Sequence, residues 1–302
     1  MKVLVTGGTG FVGREIVRQL LEAGHEVHVL ARGNRAPSST ENGSIHWHQG
    51  DVLDSGSLGT MCSGMDAVIH LVGIISEAGR STFEAVHVKG SRSMVAAAKE
   101  AGIKRFVHIS ALGTRAEARA RYHRSKWEAE EIVRGSGLDW TIFRPSIIYG
   151  PGDGFVNLFA KIIRRSPIVP IIGSGESKFQ PVPVAAVAKA FVKSLNESRA
   201  IGQTFDLCGC ETLTLNQIVE EIMGVMRRKR WKIHIPIGMA KVQAAVLELL
   251  FAKICRRPSP LTRDQIVMLQ EDNIGNDRMA NELFSLQSPP FGEGIAKYLK
   301  QD

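Results

Sequence analysis

Apolar positions follow two alternating rhythms along this chain. Val3-Leu4-Val5 is a short continuous run closed by Thr6-Gly7-Gly8, the pattern of a buried strand ending in a tight turn. From Phe11 to Ala23 the spacing becomes helical, with Phe11, Ile16, Leu20 and Leu21 on one side and Gly24 as the C-cap. His25–Leu30 reads as a second strand. Further strand signals fall at Ile45–Gln49, Ala67–Val72, Phe106–Ser110 and Trp140–Arg144. Helical stretches separate them, notably Arg80–Ala101 and Tyr122–Arg134. Apolar strands alternating with helices predict a parallel sheet covered on both faces, the doubly wound α/β (Rossmann) class.

Gly150-Pro151-Gly152-Asp153-Gly154 punctuates this rhythm. Beyond it, strands at Val169–Ile172 and Thr204–Leu207 mix with helices at Phe155–Arg165, Val184–Leu195 and Leu215–Met226. The pattern predicts a dinucleotide-binding domain over 1–150. A smaller mixed α/β substrate lobe is expected over 151–302, part of it returning to the first sheet. No internal repeat is visible.

Three features carry chemistry. Gly7, Gly10 and Gly13 stand in the run Thr6-Gly7-Gly8-Thr9-Gly10-Phe11-Val12-Gly13. A glycine pattern by itself is weak, but this one follows a strand and opens a helix. There glycines give a tight turn and let backbone approach a pyrophosphate at the positive helix end. The second strand then runs into Ala31-Arg32-Gly33-Asn34-Arg35, without the acid that would hold the ribose 2′-hydroxyl of NAD. Guanidinium groups at Arg32 and Arg35 suit a 2′-phosphate, which favours NADP(H) and leaves NAD(H) open. Gly50-Asp51-Val52, after the next strand, suits an adenine edge.

The third feature is Ser110 at a strand end, followed by Tyr122 and Lys126 four apart on a helix. The Lys126 ammonium is expected to stabilise a Tyr122 phenolate and lower its pKa. Ser110 is expected to hold a substrate oxygen. The plain alternative is a surface tyrosine beside a solvated lysine.

With these residues in view, the chain resembles the extended or atypical short-chain dehydrogenase/reductase superfamily, the NAD-dependent epimerases and dehydratases. The likeness rests on Thr6–Gly13, Asp51-Val52, His70–Gly73, Phe106–Ser110, Tyr122 with Lys126, and Arg144–Asp153. His108–Gly113 and Pro260–Gln265 are typical of the branch related to the NADPH-binding accessory subunit of respiratory complex I. The resemblance implies cofactor contacts at Gly7, Gly10, Phe11, Val12, Arg32, Asp51, Val52, Leu71, Val72, Gly73 and Lys126. It implies the same for the turn Pro145, Ser146, Ile147 and Ile148. An oxidoreductase or epimerase moving a hydride, with Ser110, Tyr122 and Lys126 as catalytic residues, is the leading expectation. A non-catalytic NADPH-binding scaffold or redox sensor tied to complex I or quinone metabolism is the alternative. A sugar-nucleotide enzyme comes third, because two positions depart from that pattern. His87 stands where many relatives have Asn, and Ala185 and Ala186 where acidic residues are usual.

Composition narrows the picture further. Among 302 residues, 44% are hydrophobic and 23% charged, which excludes disordered and collagen-like chains. The formal charge of +8 favours anionic partners. Cys62, Cys208, Cys210 and Cys255 make neither a disulfide framework nor a metal-ligand spacing, so a reducing, cytoplasmic setting and no metal are expected. The chain enters its first motif directly from Met1, which predicts no removable leader. Arg227-Arg228-Lys229-Arg230-Trp231-Lys232 precedes a strongly apolar stretch, Ile233–Cys255, interrupted by Lys241, Glu248 and Lys253. Those charges argue against a spanning helix. The segment 227–255 is expected either to cover the second lobe or to touch a membrane surface. No nucleic-acid module is recognisable.

Overall fold

The computed structural model of the chain describes residues 1–32, 45–251 and 257–299. Its first half runs β1 (Lys2–Thr6), α1 (Phe11–Glu22), β2 (Glu26–Ala31), β3 (Ile45–Gln49), α2 (Ser55–Cys62) and β4 (Ala67–His70). A π-helical turn, Glu84–Lys89, then leads into α3 (Gly90–Glu100), β5 (Arg105–Ile109), α4 (Arg121–Arg134), β6 (Asp139–Pro145) and β7 (Ile148–Tyr149). The second half continues with α5 (Val156–Arg165), β8 (Ile168–Ile172), β9 (Lys178–Phe179), β10 (Val182–Pro183) and α6 (Val184–Ser194). It ends with β11 (Gln203–Leu207), β12 (Leu213–Thr214), α7 (Leu215–Val225), β13 (Trp231–Ile235), α8 (Ile237–Leu250), α9 (Arg263–Met268), α10 (Arg278–Phe284) and α11 (Phe291–Ala296).

Seven parallel strands form the main sheet in the order β11-β6-β5-β4-β1-β2-β3. Alternation along the strands builds two cores. Val3, Val5, Val29, Ile69, Phe143 and Phe205 pack under α1, α6 and α10, against Ile16, Leu20, Phe191 and Phe284. Leu4, Val68, Phe106 and Ile142 face the other way, onto Leu58, Met94 and Val133 of α2, α3 and α4. Continuous apolar strands are therefore needed, since both faces are covered. The doubly wound fold expected from the pattern is the one observed, and β11 is the segment that returns to the sheet beside β6.

Beyond β7 a third core gathers Val156, Ile163, Val169, Ile171, Ile218, Ile222, Phe291 and Ile295 around Tyr149. Three details differ from expectation. The fourth strand stops at His70 rather than Val72, which releases residues 71–73 into a loop. The long helix expected from Arg80 begins at Glu84 with one wide turn. Trp231–Ile235 is a strand pairing with β8, because its period-two pattern ends at Pro236 and only then does helix α8 start.

Candidate active site

β1 lies between β2 and β4, where the strand order reverses, so a crevice opens at the carboxyl ends of these strands. Gly7 turns the chain at φ +78°, and Gly10 donates its N–H to Gly7 O at 3.0 Å. A Cβ on Gly13 would lie 2.2 Å from Gly7 O and 2.6 Å from Gly8 Cα, so only hydrogen fits there. Helix α1 thus begins tight against the turn, with no acidic side chain in its first turn to oppose an anion.

A cleft of about 210 Å³ opens over this turn. Gly7, Thr9 and Gly10 line it from the turn, and Arg32 from the end of β2. Asp51 and Val52 line it beyond β3, and Leu71, Val72 and Gly73 beyond β4. These donors, glycines and the Arg32 guanidinium fit a dinucleotide. Arg35 lies outside the described residues. Phe11 sits beside Gly150, and Val12 packs on the sheet core. Pro145 and Ser146 are buried with partners of their own: Pro145 O accepts from Leu112 N, and Ser146 donates to Asn273 Oδ1 at 2.6 Å. Ile147 and Ile148 are partly buried against the two cores.

Helix α4 brings Lys126 to the inner end of this cleft. A Cβ on Gly73 would lie 3.2 Å from Lys126 Nζ. The buried ammonium donates to Ile109 O at 3.0 Å, one residue before Ser110. Burial lowers its pKa to about 8, against the opposing pull of Glu130. Ser110 is buried and donates to Thr114 Oγ1 at 3.4 Å. Tyr122 is half-buried, its ring edge-on to Phe83, His87 and His123. Burial pushes its hydroxyl up to about 12. This corrects the expected lowering: Lys126 spends a hydrogen bond on Ile109, and desolvation of the phenolate dominates. Among the described residues the Tyr122 hydroxyl has no hydrogen-bond partner.

Several supporting residues were missed or given no role from sequence. His87 Nε2 accepts from Ile74 N at 3.0 Å, and its Nδ1 lies 2.8 Å from Ser125 Oγ. Ser125 in turn donates to Tyr122 O, so His87 ties the loop after β4 to α4. Burial and the nearby Lys126 hold His87 neutral, with a pKa of about 2. Asp264 accepts from Arg121 N at 2.7 Å and Tyr122 N at 2.9 Å, capping α4 from far along the chain. Glu130 is fully buried, accepting from Arg134 and, through both oxygens, from Arg144. The spacing Lys126, Glu130, Arg134 was the available signal for that ladder. Phe83, Arg121 and Asp264 also line a second cavity of about 590 Å³, together with Glu77, Glu248 and Arg263.

No metal was expected, yet at the amino end of β2 the ligand atoms of Glu26, His28 and His46 lie within 4.8 Å of one another. Lys2 Nζ stands 3.6 Å from the same Glu26 oxygen, so the carboxylate already has a cationic partner there. Among the described residues no helix is long and apolar enough to cross a membrane.

Comparison with known proteins fits this geometry. Residues 3–208 match the NAD dependent epimerase/dehydratase family. Subunit 9 of the NADH dehydrogenase [ubiquinone] 1 alpha subcomplex of Arabidopsis thaliana is 31% identical over 276 residues, covering 89% of this chain and 68% of that protein. A Caulobacter vibrioides ceramide reductase is 32% identical over 170 residues, covering 56% of this chain and 53% of that protein. The chain thus spans between about half and two thirds of these relatives' lengths. An Escherichia coli NADPH-dependent quinone oxidoreductase complexed with NADPH has the same fold, with a TM-score of 0.77 at 18% identity over 98% of this chain and 99% of that one. The chain belongs to the NAD dependent epimerase/dehydratase family.

Proposed function

We propose that the protein is an NADP(H)-dependent oxidoreductase that reduces a carbonyl to an alcohol, or runs the reverse. The meeting of Gly73 and Lys126 supports this reading: the glycine lines the dinucleotide cleft and the lysine ends on it, one helical turn from Tyr122. When bound, the nicotinamide supplies or accepts the hydride. Gly7, Gly10 and the start of α1 would hold the pyrophosphate, and Arg32 a 2′-phosphate. Tyr122 is protonated at neutral pH, which suits a general acid that gives its proton to the carbonyl oxygen. Lys126 would then stabilise the phenolate until solvent restores the proton. Ser110 would turn from Thr114 to the substrate oxygen, and the 590 Å³ cavity would admit the substrate.

A fluorescence titration with both cofactors tests the first half. NADPH should bind more tightly than NADH, and Arg32→Asp should reverse or erase the preference; equal affinities in the parent would sink it. Tyr122→Phe tests the second half: cofactor affinity should survive while turnover drops by roughly two orders of magnitude. The Tyr122 hydroxyl, without a hydrogen-bond partner among the described residues, favours the scaffold reading, and so does the NADH dehydrogenase subunit among the relatives. Tight NADPH binding with no turnover across a panel of carbonyls and quinones would decide for it.

A further inference from the structure

Helix α8 and the β8–β13 ribbon carry an apolar surface that nothing else among the described residues covers. Trp231 is 76% exposed, Met239 64%, Val242 67%, Val246 52% and Leu249 55%. Positions 239, 242, 246 and 249 recur three and four apart, forming one stripe along the helix. Ala240 and Ala244, on the opposite stripe, are fully buried against Ile266 of α9. The helix is therefore apolar on two sides and packed on one. On the ribbon, Trp231 and Ile233 pair with the exposed Ile168 and Pro170, while Val169 and Ile171 point into the lobe core. Single exposed apolar residues are ordinary, but four of them in one stripe along a helix, with an exposed tryptophan on the strand that leads into it, are not.

Charge identifies the partner. Arg227, Arg228 and Lys229 fill the turn ahead of β13, and among the described residues none has an acidic partner. Arg227 holds a left-handed conformation, φ 51°, with its N–H on Gly224 O. Lys241 is exposed next to Val242. A second copy of the chain would bring an identical cationic turn to this face, since two-fold interfaces repeat the same patch. We infer that this surface seats the protein on an anionic lipid membrane. The α8 stripe and Trp231 enter the headgroup boundary, and Arg227–Lys229 meet lipid phosphates. Fourteen residues are too few to span a bilayer, so α8 lies along the interface. Glu248 of the same helix lines the 590 Å³ cavity, which places that cavity roughly one helix diameter, about 10 Å, from lipid.

The test is cosedimentation of the full chain with vesicles, either pure phosphatidylcholine or an equal mixture with phosphatidylglycerol. Binding is expected to the mixed vesicles at low salt, to weaken as salt is added, and to be far weaker to phosphatidylcholine alone. Replacing Arg227, Arg228 and Lys229 together by Gln should lower the apparent affinity at least about tenfold. Val242→Glu with Val246→Glu should abolish binding while NADPH affinity and melting temperature stay unchanged. Trp231 fluorescence should shift to the blue with mixed vesicles, a change lost in Trp231→Phe. No cosedimentation at low salt overturns the inference. So does a wild-type dimer in light scattering that Val242→Glu converts to a monomer, which would assign the stripe to a second copy.

Discussion

Helices α1 and α8 are made of similar apolar residues and end in opposite surroundings. In α1, Ile16, Val17 and Leu20 are buried against the sheet and α6. In α8 the buried positions are two alanines, and the larger side chains Met239, Val242, Val246 and Leu249 stand in solvent. What separates the two is the opposing surface. A sheet face needs bulky residues to fill it, whereas α8 meets Ile266 of α9 through Ala240 and Ala244. Hydropathy thus reports that a residue is able to be buried, while topology decides whether it is.

The largest expected effect lies on the sheet side of this contrast. Phe143 is fully buried, its ring 4.6 Å from Phe191 and 5.7 Å from Phe205. Phe143→Ala removes that ring from the centre of the core and should cost about 3–5 kcal/mol, read from urea unfolding at neutral pH. A loss below about 1 kcal/mol would mean that the core is far less tightly packed than its geometry indicates.

Acid should act next, again on the sheet half. Burial lowers the pKa of His70 to about 3, His87 to about 2 and His123 to about 4, with Lys126 adding to the first two. The unfolded chain takes up these protons near pH 6.5, and the folded chain only well below that. The unfolded state therefore binds more protons between those limits. Their contribution is full above about pH 6.5 and is lost progressively below it, by roughly 1 kcal/mol per histidine at pH 5.5. Melting temperature should fall steeply between pH 7 and 5. His87→Asn should flatten the fall, and an unchanged slope in that variant would show that His87 is solvated.

Asp264 joins the two halves and shows where sequence reading stops. The glycine turn, the strand rhythm and the Tyr122–Lys126 spacing were legible because each is set by neighbours within a few turns of chain. The role of Asp264 was not, since it caps a helix whose first residues stand 143 and 142 positions earlier. The Pro260–Gln265 segment was visible as a motif, and a capping box of Thr262 with Gln265 was readable in it. Its partner across the fold was not. Nor did the sequence show that Lys126 is held by a backbone carbonyl, because strand β5 supplies that carbonyl without any side-chain signature. Asp264→Ala should cost about 1 kcal/mol of stability as a lost cap. Asp264→Asn should recover part of it, since an amide oxygen still accepts. If Tyr122 works as proposed, turnover should fall by more than NADPH affinity, because the cap positions Tyr122 and lies away from the glycine turn.

The smallest effect belongs to α8 and tests the contrast most directly. Val242 is exposed, so Val242→Ala removes almost no buried surface, and alanine is the better helix former. Stability should stay within about 0.5 kcal/mol of the parent, or rise slightly. On the opposite stripe, Ala244→Val adds two methyl groups where Ala244 is fully buried against Ile266, and should cost about 1–3 kcal/mol through overpacking. The pair exchanges the same two residue types at positions two residues apart on opposite sides of the helix, so differences in hydropathy cancel and only the surroundings remain. Equal losses from the two variants would place the 242 stripe inside a packed interface, and α8 would then resemble α1 after all.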